Sequence, residues 1–458
     1  MAVDRSRLPS PGPDPLFHFP RVVRHTLRNG LKVRTIEHPG VPVATFVMQL
    51  NGGLGADPTG REGLASLTAD MVDEGTGTLS AIDVSDALAR IGAEYDVEVG
   101  PDATMFTLTT LARFAGRGAR LLSDILTAPS MHESDFERVR QLRLDRLRQL
   151  KDLPPAVAER AFLQLLYPSH PYGHLAIGSD ASLRALQLDE VVRFHTATFL
   201  PWRATLVVAG ALSHAELLAT ADDAFGGWTG EENVSDIPFA AADVTPDANS
   251  SPHLAIIPHE GAAQSELRIG HLSARRDTPD YAPLLVMNAI LGGQFVSRIN
   301  LKLREEKAFT YGVRTGFDWR RGLGPFSVQT SVHTAATAES IADTLEEISG
   351  LRGTRPATAQ EMALAQASLT RGYPRNFETA QQVARSVAQL ALFDLPDTYF
   401  EEFVPKVNAV TGDEVTGVAQ AYLDPSRAIA LVVGDRNATE SSLAGLGLGE
   451  LQVLPPTG

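Results

Sequence analysis

From Val43 to Leu50 apolar residues recur at alternate positions, with Ala44, Phe46, Met48 and Leu50 on one side of an extended chain, which predicts a strand with that side toward a core. Ahead of it, Asn29-Gly30 divides Val22 to Leu27 from Leu31 to Ile36, a signal for a hairpin with a tight turn. The period then changes. In Gly63 to Thr76, GLASLTADMVDEGT, helical spacing puts Ser66, Ala69 and Asp70 at i, i+3 and i+4 on one face, opposite the more apolar Leu64, Ala65, Thr68, Met71 and Val72. Further on, ERVRQLRLDRLRQLKDLP reads as a helix with Val139, Leu142, Leu147 and Leu150 toward the core and Arg138, Arg140, Arg143, Arg146 and Arg148 elsewhere.

The pattern occurs twice. Asp189 to Gly210, DEVVRFHTATFLPWRATLVVAG, aligns without a gap on Asp413 to Gly434, DEVTGVAQAYLDPSRAIALVVG, at an offset of 224 residues. Each copy reads as a helix, a proline break and a Val-rich strand stopped by glycine. A period this long means duplicated domains. The second half opens with Leu254 to Ile257, a turn around Glu260-Gly261 and Ser265 to Leu272, then a helix from Tyr281 to Leu291, repeating the order of the first half. The expected organisation is a Pro-rich tail at 1–20, a domain at 21–230, a linker at 231–250, a second domain at 251–450 and a tail at 451–458. The expected fold class is α+β, two homologous halves, each a mostly antiparallel sheet packed with helices.

Composition narrows the chemistry. A chain of 458 residues with 43% hydrophobic and 21% charged positions is that of a globular protein, and no apolar run approaches the roughly 20 residues needed to span a bilayer. The net charge of −15 argues against nucleic acid as ligand. With no cysteine, thiol catalysis and Cys-based metal sites are excluded. The first twenty residues lack the apolar core of a signal peptide, so the expectation is a cytoplasmic protein. His170 and His174 have i, i+4 spacing, but Pro171 and Gly173 prevent the helix that would align them, which leaves loop or packing histidines.

The stretch Gly63 to Thr76 resembles the inverted zinc motif of the insulinase-type (pitrilysin, processing-peptidase) metallopeptidases, with Ser66, Ala69 and Asp70 where that family has His, Glu and His. The resemblance runs from about Arg21 to Gly434. The family's third ligand, a Glu about 75 residues on, corresponds by counting to Arg146. Zinc needs a set of imidazole, thiolate or carboxylate donors, and a general base must reach its water, so this chain is expected to hold no metal and no other cofactor. The second half retains Arg304 and Tyr311 in LKLREEKAFTYGV, with Arg304 near a helix end and Tyr311 opening a strand to Phe317. This resembles the family's Arg-x6-Tyr motif, whose side chains stabilise the tetrahedral intermediate of peptide hydrolysis. A guanidinium and a phenol suit that role, since both remain donors at neutral pH.

The resemblance therefore implies a subunit inactive alone. Paired as a heterodimer with a homologous zinc-bearing subunit, it would bring Arg304 and Tyr311 to the partner's zinc during hydrolysis of peptides. The alternative is a non-catalytic structural or substrate-binding subunit of a larger complex. Gly292-Gly293-Gln294-Phe295 ends too soon for the long glycine-rich loop of a presequence-binding subunit.

Overall fold

The alternating run from Val43 becomes a strand buried on both sides, at the centre of the first of two six-stranded sheets. The computed structural model describes residues 17–230 and 253–455; the expected linker at 231–250 and residues 1–16 of the expected N-terminal tail lie outside them. The first half contributes β1 (Val22–Thr26), β2 (Lys32–Glu37), β3 (Val43–Asn51), a separate two-stranded ribbon of β4 (Gly75–Thr76) and β5 (Leu79–Ser80), then β6 (Glu94–Val99), β7 (Ala103–Leu111) and β8 (Ala204–Gly210). Its sheet runs β1-β2-β8-β3-β7-β6 and is antiparallel except between β2 and β8. The hairpin is present, with Gly30 at φ +87°, a left-handed conformation that a glycine adopts without strain.

The second half contributes β9 (Leu254–Pro258), β10 (Gln264–Leu272), β11 (Val313–Phe317), β12 (Pro325–His333), β13 (Ile429–Gly434) and β14 (Leu451–Val453), ordered β11-β12-β10-β13-β9-β14. Its pairings are antiparallel apart from β13 with β9 and β9 with β14. The repeated strands β8 and β13 occupy equivalent places. Each follows its own helix, Leu188–Thr198 or Gly412–Tyr422, and inserts between the first two long strands of its half. Among the described residues the repetition is incomplete at the outer edge, where no counterpart of β1 precedes β9. Leu451–Val453, expected in the C-terminal tail, supplies that strand instead.

Each half lends a helix to the other. Pro154–Leu166 packs Val157, Ala158 and Ala161 against Ala255, Ile257, Leu431 and Val433 of the second sheet. Ala380–Leu392 lays Val383, Ala384 and Val387 on Ile36, Val47, Val207 and Ala209 of the first. The exchange explains why β3 has no exposed face although Thr45 and Gln49 are polar: Ala44, Phe46, Met48 and Leu50 meet the first half's own helices, while Val47 meets the borrowed one. Phe17 and Phe19 extend this contact as part of an aromatic group with Tyr373, Phe377 and Phe400.

The segment Tyr281–Glu306 is apolar enough over an 18-residue window to suggest a membrane span, but 56% of that window is buried in the second core. It is also interrupted at 294–297, so its apolar character belongs to packing.

Candidate functional site

The helix Leu64–Met71 starts at Gly63, which has φ +91° and whose missing side chain leaves room for the backbone of Gly178. No side chain caps this helix from the residue before it. Asp57 does so from further back, accepting N–H bonds from Gly63 and Ala65, each at 2.7 Å, with its side chain fully buried. His174 Nε2 lies 2.8 Å from the same carboxylate. His174 is thus a packing histidine, separated from His170 by a short turn at Pro171–Gly173.

Ser66 and Asp70 line an open cavity of about 570 Å³ together with Asp73, Glu74, Arg143 and Arg146. Ala69 does not share this surface; it is fully buried and packs with Val72 in the core below the sheet. The opposing helix, Glu133–Lys151, also differs from its sequence reading. Leu142, expected in the core, is 58% exposed, whereas Arg143 is buried and donates to the Asp70 carboxylate and, at 2.7 Å, to the carbonyl of Ala176. Arg146, the residue found by counting, is exposed at the cavity edge and reaches Gln149 at 3.2 Å.

These donors do not fit zinc. Ser66 and Ala69 supply no imidazole, Asp70 is already engaged by a guanidinium, and both Arg143 and Arg146 bring positive charge to the cavity. Among the described residues no three His, Cys, Asp or Glu side chains form a metal-holding group. The remaining acids carry an electrostatic cost. Burial, and then the neighbouring Glu74 and Asp70, push the Asp73 carboxyl up to about 6. Burial, then Asp73 and Asp70, raise the Tyr95 phenol well above its usual value.

The second half holds a cavity of about 690 Å³ beside β11, lined by Gly292, Phe295, Asn300, Tyr311, Arg314 and Gln329 among others. Tyr311 lies in the loop before β11, since the strand begins at Val313, two residues later than expected. Its side chain is 92% exposed on an anchored backbone. Asn300 Nδ2 donates to the carbonyls of Gln294 and Val313 and to Ser297 Oγ, and its Oδ1 accepts the Val313 N–H at 2.8 Å. Thr310 and Thr330 both donate to the carbonyl of Gly312. Gly292-Gly293 has no positive φ; Gly292 closes against Thr315 of β11, and a Cβ there would overlap that side chain.

Arg304 sits in a wide helical turn, Leu301–Glu306. Its guanidinium carbon lies 3.3 Å from the centre of the Phe295 ring, and it pairs with Glu305. Among the described residues no hydrogen bond or ion pair joins Arg304 to Tyr311. Phe295 links them, stacking on Arg304 and lining the cavity that Tyr311 borders. Asn300 and Arg143, which hold the two faces together, were not singled out from the sequence for these roles. Arg143 was placed with the arginines away from the core side of its helix, and Asn300 carries no motif at all.

The family model for insulinase, peptidase family M16, matches residues 32–178, and that for the peptidase M16 inactive domain matches residues 185–369. The chain is 25% identical over 423 residues to an uncharacterized zinc protease of Mycobacterium tuberculosis, covering 91% of this chain and 94% of that one. It is 24% identical over 282 residues to a probable mitochondrial-processing peptidase subunit beta of Schizosaccharomyces pombe, covering 60% and 59% respectively. The crystal structure of a peptidase M16 inactive domain from Pseudomonas fluorescens superposes with a TM-score of 0.81 at 21% identity, covering 90% of this chain and 98% of that one.

Proposed function

The chain belongs to the insulinase-type M16 peptidase family as an inactive-type member, and from that premise we propose that it is the non-zinc subunit of a heterodimeric peptidase. In this reading it brings Arg304 and Tyr311 to the zinc of a homologous partner subunit, where they stabilise the oxyanion formed during peptide hydrolysis. The observation that carries the reading is the contrast between the two faces. The first is closed to metal by the Asp70–Arg143 pair, while the second presents an exposed Tyr311 on a backbone locked by Asn300.

The surroundings suit a protein partner. Phe295 at 68% exposure, Val296 at 54% and Leu301 at 46% stand near Arg304 in sequence, an apolar cluster of the kind that association buries. Two of the four edge strands, β6 and β11, offer an outer side to which an extended peptide can add. Docking of the partner would have to draw Arg304 from Glu305.

A second reading is a non-catalytic structural or substrate-binding subunit, favoured by the fact that Arg304 is already engaged by Phe295 and Glu305. Co-purification with a partner bearing an intact His-x-x-Glu-His, followed by metal analysis and a peptidase assay, separates them. Zinc-dependent hydrolysis by the pair, absent from each chain alone, supports the first reading. A stable complex without added hydrolysis supports the second.

A further inference from the structure

On the far side of the Asp57 clamp lies a third cavity, of about 300 Å³, that the peptidase reading does not use. Arg160 of the helix Pro154–Leu166 lines it and is only 7% exposed. Among the described residues its guanidinium has no hydrogen bond, ion pair or ring partner. Burial alone lowers its pKa, with no carboxylate near enough to raise it. A buried charge is normally paired, because removing it from water is costly unless an opposite charge replaces the lost hydration.

The two acids that line the cavity, Asp57 and Glu62, are otherwise committed. Asp57 accepts from Gly63, Ala65 and His174, and Glu62 Oε1 takes the N–H of Gly60. The remaining wall supplies neutral donors, the hydroxyls of Thr59 and Ser169 and the amide of Gln164. The volume is at the small end of ligand sites, which span about 300–1,000 Å³. A guanidinium presents parallel N–H groups that match two oxygens of one carboxylate or phosphate.

We propose that this cavity binds a small oxyanion, a carboxylate or a phosphate, with the Arg160 guanidinium as its principal contact. The bound anion would sit beside the carboxylate that fixes the start of the helix Leu64–Met71, and so behind the metal-less face. The site is independent of any peptidase role.

Calorimetric titration of the full chain with inorganic phosphate and, separately, with acetate, at constant ionic strength, tests this. The wild type should bind at least one of them saturably with a stoichiometry of one. Binding of phosphate alone or of acetate alone supports the site and identifies the group it takes. Arg160→Met should weaken binding at least tenfold, since it removes the one guanidinium that lines the cavity. Ser169→Asp, an exposed change at the rim, should weaken binding at least tenfold without altering the fold. Absence of saturable binding in the wild type, or unchanged affinity in Arg160→Met, would overturn the proposal. If Arg160→Met does not fold, unchanged affinity in Ser169→Asp would do so.

Discussion

Arg143 donates a hydrogen bond to Asp70 across the face where an M16 peptidase would hold metal, and the two residues meet from positions 73 apart in the chain. The pair places a fixed cation beside one of the three positions that zinc would need. Restoring the three ligand positions with Ser66→His, Asp70→His and Arg146→Glu should therefore give only weak zinc binding while Arg143 remains. Adding Arg143→Leu should tighten it at least tenfold. Zinc titration of the two variants checks this, and equal affinities would show that Arg143 does not govern the site.

Asp73 gives a pH dependence of known sign. Its native pKa, about 6, is raised above the ordinary 3.8, so between those values the unfolded chain has released a proton that the native state still holds. Its contribution therefore becomes less favourable as pH rises from about 4 to 6 and stays unfavourable above. Asp73→Asn should stabilise the protein at pH 7 by about 1–3 kcal/mol, the equivalent of up to roughly two pKa units. The gain should shrink toward zero near pH 4. Denaturant unfolding of both proteins across that range measures it, and a gain independent of pH would contradict the assignment.

Asn300 is predicted to hold the loop that presents Tyr311. Asn300→Ala removes the acceptor of the Val313 N–H and three donor contacts, which should cost about 2 kcal/mol or more. Hydrogen exchange at the Val313 amide should speed up at least tenfold, with the helix Leu64–Met71 unaffected. Unchanged protection at Val313 would show that β11 holds the loop without it.

The exchanged helices make the two halves one cooperative unit. Val387 belongs by sequence to the second half and is fully buried on the first sheet. Val387→Ala should cost about 2 kcal/mol and shift unfolding of both halves together. Fluorescence can report each half, with Trp202 and Trp228 in the first and Trp319 in the second. Separate midpoints in variants that retain one set of tryptophans would contradict the coupling.

The duplication was legible because it rests on a local string: the helix, proline break and strand of Asp189 to Gly210 recur in register, and both copies fold alike. The strand at Val43 and the helix at Leu64 were equally clear from their periods. The helix exchange was not, since the alternation in β3 points to one core-facing side, and Thr45 and Gln49 on the other give no sign that a helix from the second half covers them. Counting along the chain pointed to Arg146, which borders the cavity, but could not show that Arg143 holds Asp70, because Glu133–Lys151 carries arginines around its circumference. Only packing against Asp70 and Ala176 tells one turn from the next. Ala69 was misplaced for a related reason: a small residue shares a helical face with Ser66 by angle yet fits into the core below it.

In the proposed heterodimer, Arg304 and Tyr311 complete the partner's chemistry. Peptide hydrolysis by the reconstituted heterodimer should be compared among wild type, Arg304→Ala and Tyr311→Phe, with complex formation and zinc content measured alongside. Tyr311 is 92% exposed, so Tyr311→Phe should leave folding intact. Each variant should assemble with the partner, retain its zinc and lose about 10²–10³ in kcat, the usual effect of removing one donor to an oxyanion. Undiminished hydrolysis by both variants in an intact complex would contradict the account.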